Sequence, residues 1–126
     1  MLGVGVKSAV SAAALAFALL LHAGAGAAQD RDVHANSHRG AKLIARLGCG
    51  ACHSIPGIEN ARGLVGPPLD NIGKRTFIAG LLPNTPDNMV RWLETPQIVV
   101  PGNAMPNMEL SDQDAEDITA YLDTLR

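Results

Sequence analysis

The sequence predicts a small all-α domain with long loops and three to five helices, an expectation carried by three observations. Segments opening at Ser37, Thr85 and Ser111 each join a helix-capping residue to an apolar stripe of helical spacing. No run alternates apolar and polar residues as a half-buried strand does, and no internal repeat or low-complexity tract interrupts the chain. Between the striped segments, glycine and proline cluster densely enough to enforce irregular backbone.

The amino end stands apart. Lys7 supplies a short positive region, Ala9 to Leu21 is apolar except for Ser11, and Ala23-Gly24-Ala25-Gly26-Ala27-Ala28 follows as a small-residue exit. That order reads as a secretory signal peptide over residues 1–28, cleaved after Ala28 or Ala27. Its apolar run of 13 residues falls short of the roughly 20 that span a bilayer, a retained anchor being the alternative. Residues 29–39 are expected to form a flexible lead-in and residues 40–126 the folded domain. Without residues 1–28, nine basic side chains meet twelve acidic ones, a net charge of −3 that excludes a basic nucleic-acid binder. Phe77, Trp92 and Tyr121 are then the only aromatics. A domain this small often needs a disulfide, metal or cofactor to complete its centre.

The first helix is expected from a Ser37 cap to about Gly48, with Leu43, Ile44 and Leu47 on one stripe. Residues 54–66 carry Pro56, Gly57, Gly63 and Gly66 and read as loop, followed by a short helical turn near Leu69 to Gly73. Thr85-Pro86 places a cap before proline at the first helical position; Met89, Val90 and Leu93 give that helix its apolar face, and Thr95-Pro96 ends it. Pro101 to Pro106 is irregular. Ser111-Asp112-Gln113-Asp114 resembles a capping box and opens a last helix reaching about Leu125, with Ala115, Ile118, Leu122 and Leu125 inward. Asp112, Asp114, Glu116 and Asp117 sit in its first turns, where the helix dipole favours acids.

Two cysteines in an exported chain suggest a disulfide. The sequence Cys49-Gly50-Ala51-Cys52-His53 narrows the choice. Zinc is poorly served without a second cysteine pair, and His34 and His38, four apart, are weak metal candidates. A redox Cys-x-x-Cys usually accompanies a strand–helix pattern that is missing here. Cys-x-x-Cys-His order instead reads as covalent attachment of a c-type haem, with His53 delivered to one face of the iron. A sixth ligand then has to come from a distant loop, and a thioether there raises the reduction potential relative to a second histidine. Met105 and Met108 are the candidates. Met105, in the loop bounded by Pro101 and Pro106, is favoured, whereas Met108 near the last helix reads as core.

From about Gly40 to Leu125 the chain resembles the class I (monohaem) cytochromes c. Gly40-Ala41-Lys42-Leu43-Ile44 leading to the cysteine motif resembles the family's first helix, with Ile44 where an aromatic is usual. Gly66-Pro67-Pro68-Leu69 is similar to the family's Gly-Pro-x-Leu, which implies a hydrogen bond from His53 to the Pro67 carbonyl. Trp92-Leu93-Glu94-Thr95-Pro96 through Pro101-Gly102-Asn103-Ala104-Met105 aligns without gaps and implies Met105 as axial ligand; Ala120-Tyr121-Leu122 matches the last helix. Trp92 lies where many relatives place a tyrosine beside the haem, and Asn84 near where many place a propionate-binding tryptophan. Asn84 and Arg75 are candidates for that propionate role.

The stretches Leu82-Pro83-Asn84-Thr85-Pro86 to Met105-Pro106-Asn107-Met108 look especially like cytochrome c domains attached to subunit II of bacterial terminal oxidases. The chain has no room for the copper-binding domain of such subunits. The resemblance therefore implies a free-standing, monomeric, periplasmic or otherwise exported carrier. It would pass single electrons from a redox protein donor to an acceptor such as a terminal oxidase, meeting membranes only transiently through partners. A haem-bearing subunit of a periplasmic oxidoreductase complex is the alternative; a haem sensor or peroxidase-like protein needs an open iron position. No acid–base pair or activated nucleophile is identified, so catalysis is not expected. Only Lys42 and Lys74 remain as lysines beyond the leader, too few for a lysine docking ring. Electron transfer to partners is therefore expected to depend weakly on ionic strength. Stopped-flow rates falling by about tenfold or more from low to moderate salt contradict this.

Overall fold

The computed structural model describes residues 35–126; residues 1–34, and with them the segment expected to be a signal peptide and His34, lie outside the described residues. Among the described residues four α-helices follow in order: α1 (Ser37–Arg46), α2 (Pro86–Glu94), α3 (Pro96–Val99) and α4 (Asp112–Thr124). Short 3₁₀ turns at Cys49–Ala51 and Ile72–Lys74 punctuate the long stretch between α1 and α2. Among the described residues, no helix is long and apolar enough to cross a membrane.

The first helix is capped by Asn36 rather than Ser37: the Asn36 Oδ1 accepts from the Arg39 N–H at 2.9 Å. Asn ranks with Ser as a cap, and the side chain that reaches the third N–H takes the position. The fold is thus set from Asn36, four residues ahead of the expected boundary at Gly40, because the Asn36 N–H also donates to Asp117 Oδ1 at 2.7 Å. Thr85 and Ser111 cap α2 and α4, accepting from Asn88 and Asp114 N–H groups. The Asp114 carboxylate pairs with Arg39 across to α1.

Leu43 and Ile44 of α1, Met89 and Leu93 of α2, and Ala115, Ile118 and Leu122 of α4 form the core together with Ile55, Ala61, Ile72 and Ile78. Leu47, Val90 and Leu125 are half-buried against it. At the α1–α4 crossing Gly40 has no room for a side chain, since an added Cβ would lie 1.9 Å from the Asp117 carbonyl oxygen and 3.0 Å from the Ile118 nitrogen. Ile44 at 1 % exposure fills the next position along that seam. The absent aromatic is replaced by a smaller side chain held at close backbone approach.

A two-stranded hairpin is the main addition to the expected all-α pattern. β1 (Phe77–Ile78) pairs antiparallel with β2 (Leu82–Pro83), in register Ile78 to Leu82. Two residues per strand are too few to display alternation in sequence. The turn has Ala79 at φ 51° and Gly80 at φ 72°, the left-handed pair of a type I′ turn. Alanine there costs on the order of 1 kcal/mol of backbone strain.

Asp117, grouped by sequence with the dipole-facing acids of α4, is instead buried at 1 % exposure. It accepts from Asn36 N, from Arg39 Nη1 at 2.5 Å and from Gln113 Nε2 at 2.9 Å. Burial works to raise this carboxyl, and those three donors outweigh it, so its pKa lies below the usual carboxylate range. A depressed folded-state pKa adds stability that is complete above the unfolded-state value and is lost as pH falls through the folded-state value. Asp117→Asn is therefore expected to cost about 2 kcal/mol at neutral pH. It should also flatten the acid limb of a plot of urea-unfolding free energy against pH. An unchanged acid limb contradicts the assignment.

Candidate functional site

The motif at Cys49 to His53 folds as one tight turn. The His53 N–H donates to the Cys49 carbonyl at 3.0 Å, and the Cys52 N–H reaches the same oxygen at 3.2 Å. Three and four residues share a helical face, so Cys49, Cys52 and His53 all border one cavity. Cys49 and Cys52 are not joined in a disulfide, and burial pushes the Cys49 thiol up. A redox-active Cys-x-x-Cys needs the reverse, a thiolate favoured at neutral pH. Among the described residues, no cluster of three or more His, Cys, Asp or Glu is placed to hold a metal ion, and His38 is exposed on α1.

The segment after the motif is zipped back onto it. Gly63 N donates to Gly50 O, Gly66 N to Cys52 O and Leu69 N to Ser54 O, at 3.0, 2.8 and 2.8 Å. This places the Pro67 carbonyl 2.7 Å from His53 Nδ1. With Nδ1 donating to that carbonyl, the tautomer is fixed and Nε2 is the free lone pair. Gly66 makes the approach feasible: an added Cβ would meet the imidazole at 2.3 Å from Cε1 and 2.7 Å from Nδ1.

The cavity encloses about 520 Å³ and its lining is largely apolar. One wall is Ile44, Leu47, Leu69 and Ile72; the hairpin supplies Phe77, Ile78 and Ala79; α2 supplies Met89, Trp92 and Leu93. The loop of Asn103, Ala104, Met105 and Pro106 lines it as well. Val65, 77 % exposed, and Phe77, 52 % exposed, also line it, so large apolar surface surrounds the cavity. Arg75 is the only charged side chain on the wall among the described residues, its Nη2 donating to the carbonyls of Pro68 at 2.5 Å and Asp70 at 3.1 Å. Two thiols, one oriented imidazole, two thioethers and one cation on the wall of a single apolar cavity suit a flat apolar ring with acidic substituents and an iron centre. The residues fit haem c.

Two sequence expectations are corrected. Asn84 does not line this cavity; both its N–H groups are committed, to Ile72 O at 2.8 Å and Arg75 O at 2.9 Å, so it braces the loop behind Arg75. Met108, read as core, lines the cavity with Met105, because no residue from Ala104 to Leu110 is helical and the side chain falls short of the α1–α4 core. Sequence reading missed the hairpin wall, although an aromatic at Phe77 in an aromatic-poor chain was a usable signal. It also missed the amides of Gln97 and Asn103 that hold the Met105 loop.

A mostly helical shell around such a cavity defines an electron-transferring haem protein. The chain belongs to the cytochrome c family, whose profile, "Cytochrome c", matches residues 37–126. Among curated proteins it is similar to "Cytochrome c oxidase subunit 2" of Alkalihalophilus pseudofirmus, 34% identical over 91 residues that cover 71% of this chain and 26% of that protein. The proteins of the same name from Bacillus sp. (strain PS3) and Bacillus subtilis (strain 168) are 32% and 30% identical over 89 and 92 residues. Those matches cover 68% and 70% of this chain against 25% and 26% of theirs. The chain thus spans about a quarter of the length of the curated relatives it matches.

The Gly66 cradle yields a direct test. Gly66→Ala is expected to cost about 2 kcal/mol in thermal unfolding of the haem-loaded protein, by overpacking the imidazole. Gly80→Ala, where an added Cβ meets nothing within 4 Å, should cost only the left-handed backbone term of about 1 kcal/mol. Equal losses would show that His53 does not need that space.

Proposed function

We propose that this protein is an exported monohaem c-type cytochrome that carries single electrons between redox partners, toward a terminal oxidase. The observation that carries the reading is His53, oriented through Nδ1 by the Pro67 carbonyl, on a cavity that Met105 also lines. In this reading Cys49 and Cys52 would hold the ring through thioethers, and His53 Nε2 and Met105 Sδ would ligate its iron. Arg75, fixed by two carbonyls on the cavity wall, would meet a propionate, and Trp92 on the same wall would pack against the ring. When bound, haem c supplies a one-electron ferrous/ferric couple. The chain's part is to keep both axial side chains in place through the cycle, so that little rearrangement accompanies each electron, and to exclude water with its apolar wall.

Met105 is preferred over Met108 because its backbone is held on both sides. The Met105 N–H donates to Asn103 Oδ1 at 2.8 Å and its carbonyl accepts from Gln97 Nε2. Met108 has no comparable anchor among the described residues, and Glu109 beside it adopts φ 52°. The leader at residues 1–28 supports export, with cleavage after Ala28 and a retained anchor as the alternative. The names of the relatives favour an oxidase as acceptor. They equally suit a second reading, a haem-bearing subunit of an oxidase or other periplasmic complex, which would copurify with that complex where a carrier would run as a monomer.

Absorption spectra of exported protein test the ligand set. Wild type and Met108→Ala are expected to show a six-coordinate spectrum and no carbon monoxide binding by the ferrous form at neutral pH. Met105→Ala should bind carbon monoxide stoichiometrically. Ready binding by wild type, or by Met108→Ala alone, contradicts Met105 ligation.

A further inference from the structure

The loop that carries Met105 lacks main-chain support. From Ala104 to Leu110, no residue makes a backbone–backbone hydrogen bond among the described residues. A segment without such bonds has no intrinsic reason to hold one conformation against the entropy of its alternatives. Side chains replace them. The half-buried Asn103 uses both N–H groups on the preceding turn, donating to Pro96 O at 2.8 Å and Val100 O at 2.7 Å. Its Oδ1 accepts from the Met105 N–H at 2.8 Å. One amide therefore ties the start of α3 to the methionine nine residues later. Gln97, on α3, closes the other side by donating to the Met105 carbonyl. Both main-chain polar groups of Met105 are satisfied by these two side chains alone among the described residues.

From this arrangement we infer that Asn103, seconded by Gln97, is the positioning residue for the sixth ligand. Asn103 does not touch the iron. It restricts the loop to the conformation in which Met105 faces the cavity, so a competing ligand has to displace a thioether that is held in place rather than one on a free loop. The inference rests on the reading of Met105 as axial ligand. Its physical content is a population. The apparent affinity of an external ligand scales with the fraction of molecules whose loop has swung away. Loss of the Asn103 bonds raises that fraction.

The test titrates imidazole into haem-loaded ferric protein at fixed neutral pH and follows loss of the far-red thioether-to-iron charge-transfer band. Asn103→Leu keeps the size and removes all three hydrogen bonds. It is expected to bind imidazole about tenfold or more tightly than wild type. Asn103→Asp keeps an acceptor for the Met105 N–H and loses both donors, and should fall between the two. Gln97→Glu, at an exposed position, loses the donor to the Met105 carbonyl and should tighten binding about threefold. A purely structural role lowers the melting temperature of these variants and leaves imidazole affinity unchanged. Affinities within about twofold of wild type in Asn103→Leu overturn the inference. If that variant does not fold, unchanged affinity in Asn103→Asp and Gln97→Glu overturns it equally. Met105→Ala separates the two layers. If it keeps the wild-type band, the ligand assignment fails and the positioning role with it. If it abolishes the band while the Asn103 variants bind as wild type does, only the positioning role fails.

Discussion

The whole structure depends on the crossing of the first and last helices. Gly40 brings the α1 backbone against the Asp117 carbonyl, too close for any side chain. Beside that contact Asp117 is buried and tied to Asn36 and Arg39 of the opposite element. A buried carboxylate is costly unless several donors meet it, and here a main-chain N–H, a guanidinium and an amide do so. Most of the cavity's lining, Cys49 to Met108, lies on the segment strung between these two helices, which add Ile44, Leu47, Ile118 and Leu122. The clasp sets the ends of that long segment, and the loops then need only local restraints to enclose the cavity.

Those local restraints share one chemistry. Side-chain amides, a guanidinium and a hydroxyl donate to main-chain carbonyls in and beside the loops: Asn84 to Ile72 and Arg75, Asn88 to Pro83, Asn103 to Pro96 and Val100, Arg75 to Pro68 and Asp70, Tyr121 to Pro56. Buried or half-buried main-chain groups have to be paired, and a loop-rich domain pairs them with donors supplied by its sequence. This is how a domain with so few regular elements supports a cavity of about 520 Å³. It also explains why asparagine, a weak helix former, is so useful in the loops here.

Helix positions were legible because caps and apolar stripes are local signals: Thr85 with Pro86, Ser111, and the inward faces of α1, α2 and α4. The cavity was legible through the spacing of Cys49, Cys52 and His53 within five consecutive residues, and those three side chains border it. What escaped depends on contacts between distant residues. Asp117 reads as one of several helix-start acids until Arg39 and Asn36 arrive from the other end of the chain. Met108 reads as core until the loop is seen to place it on the cavity wall. Asn84 had the right polarity for a cofactor contact, yet its donors were already engaged. The hairpin is too short to leave a periodicity.

The bond between Asn36 and Asp117 joins residues 81 positions apart. Closing a loop of that size costs about 2 kcal/mol more in chain entropy than closing one of about ten residues, since each doubling adds roughly 0.6 kcal/mol. The terminal clasp is thus the least favourable contact to make first and the most valuable once the intervening segment has condensed. A chain built this way folds at a rate set by its topology rather than by its helix propensities. The distance along the chain between its two ends is therefore an entropic cost that the clasp has to offset.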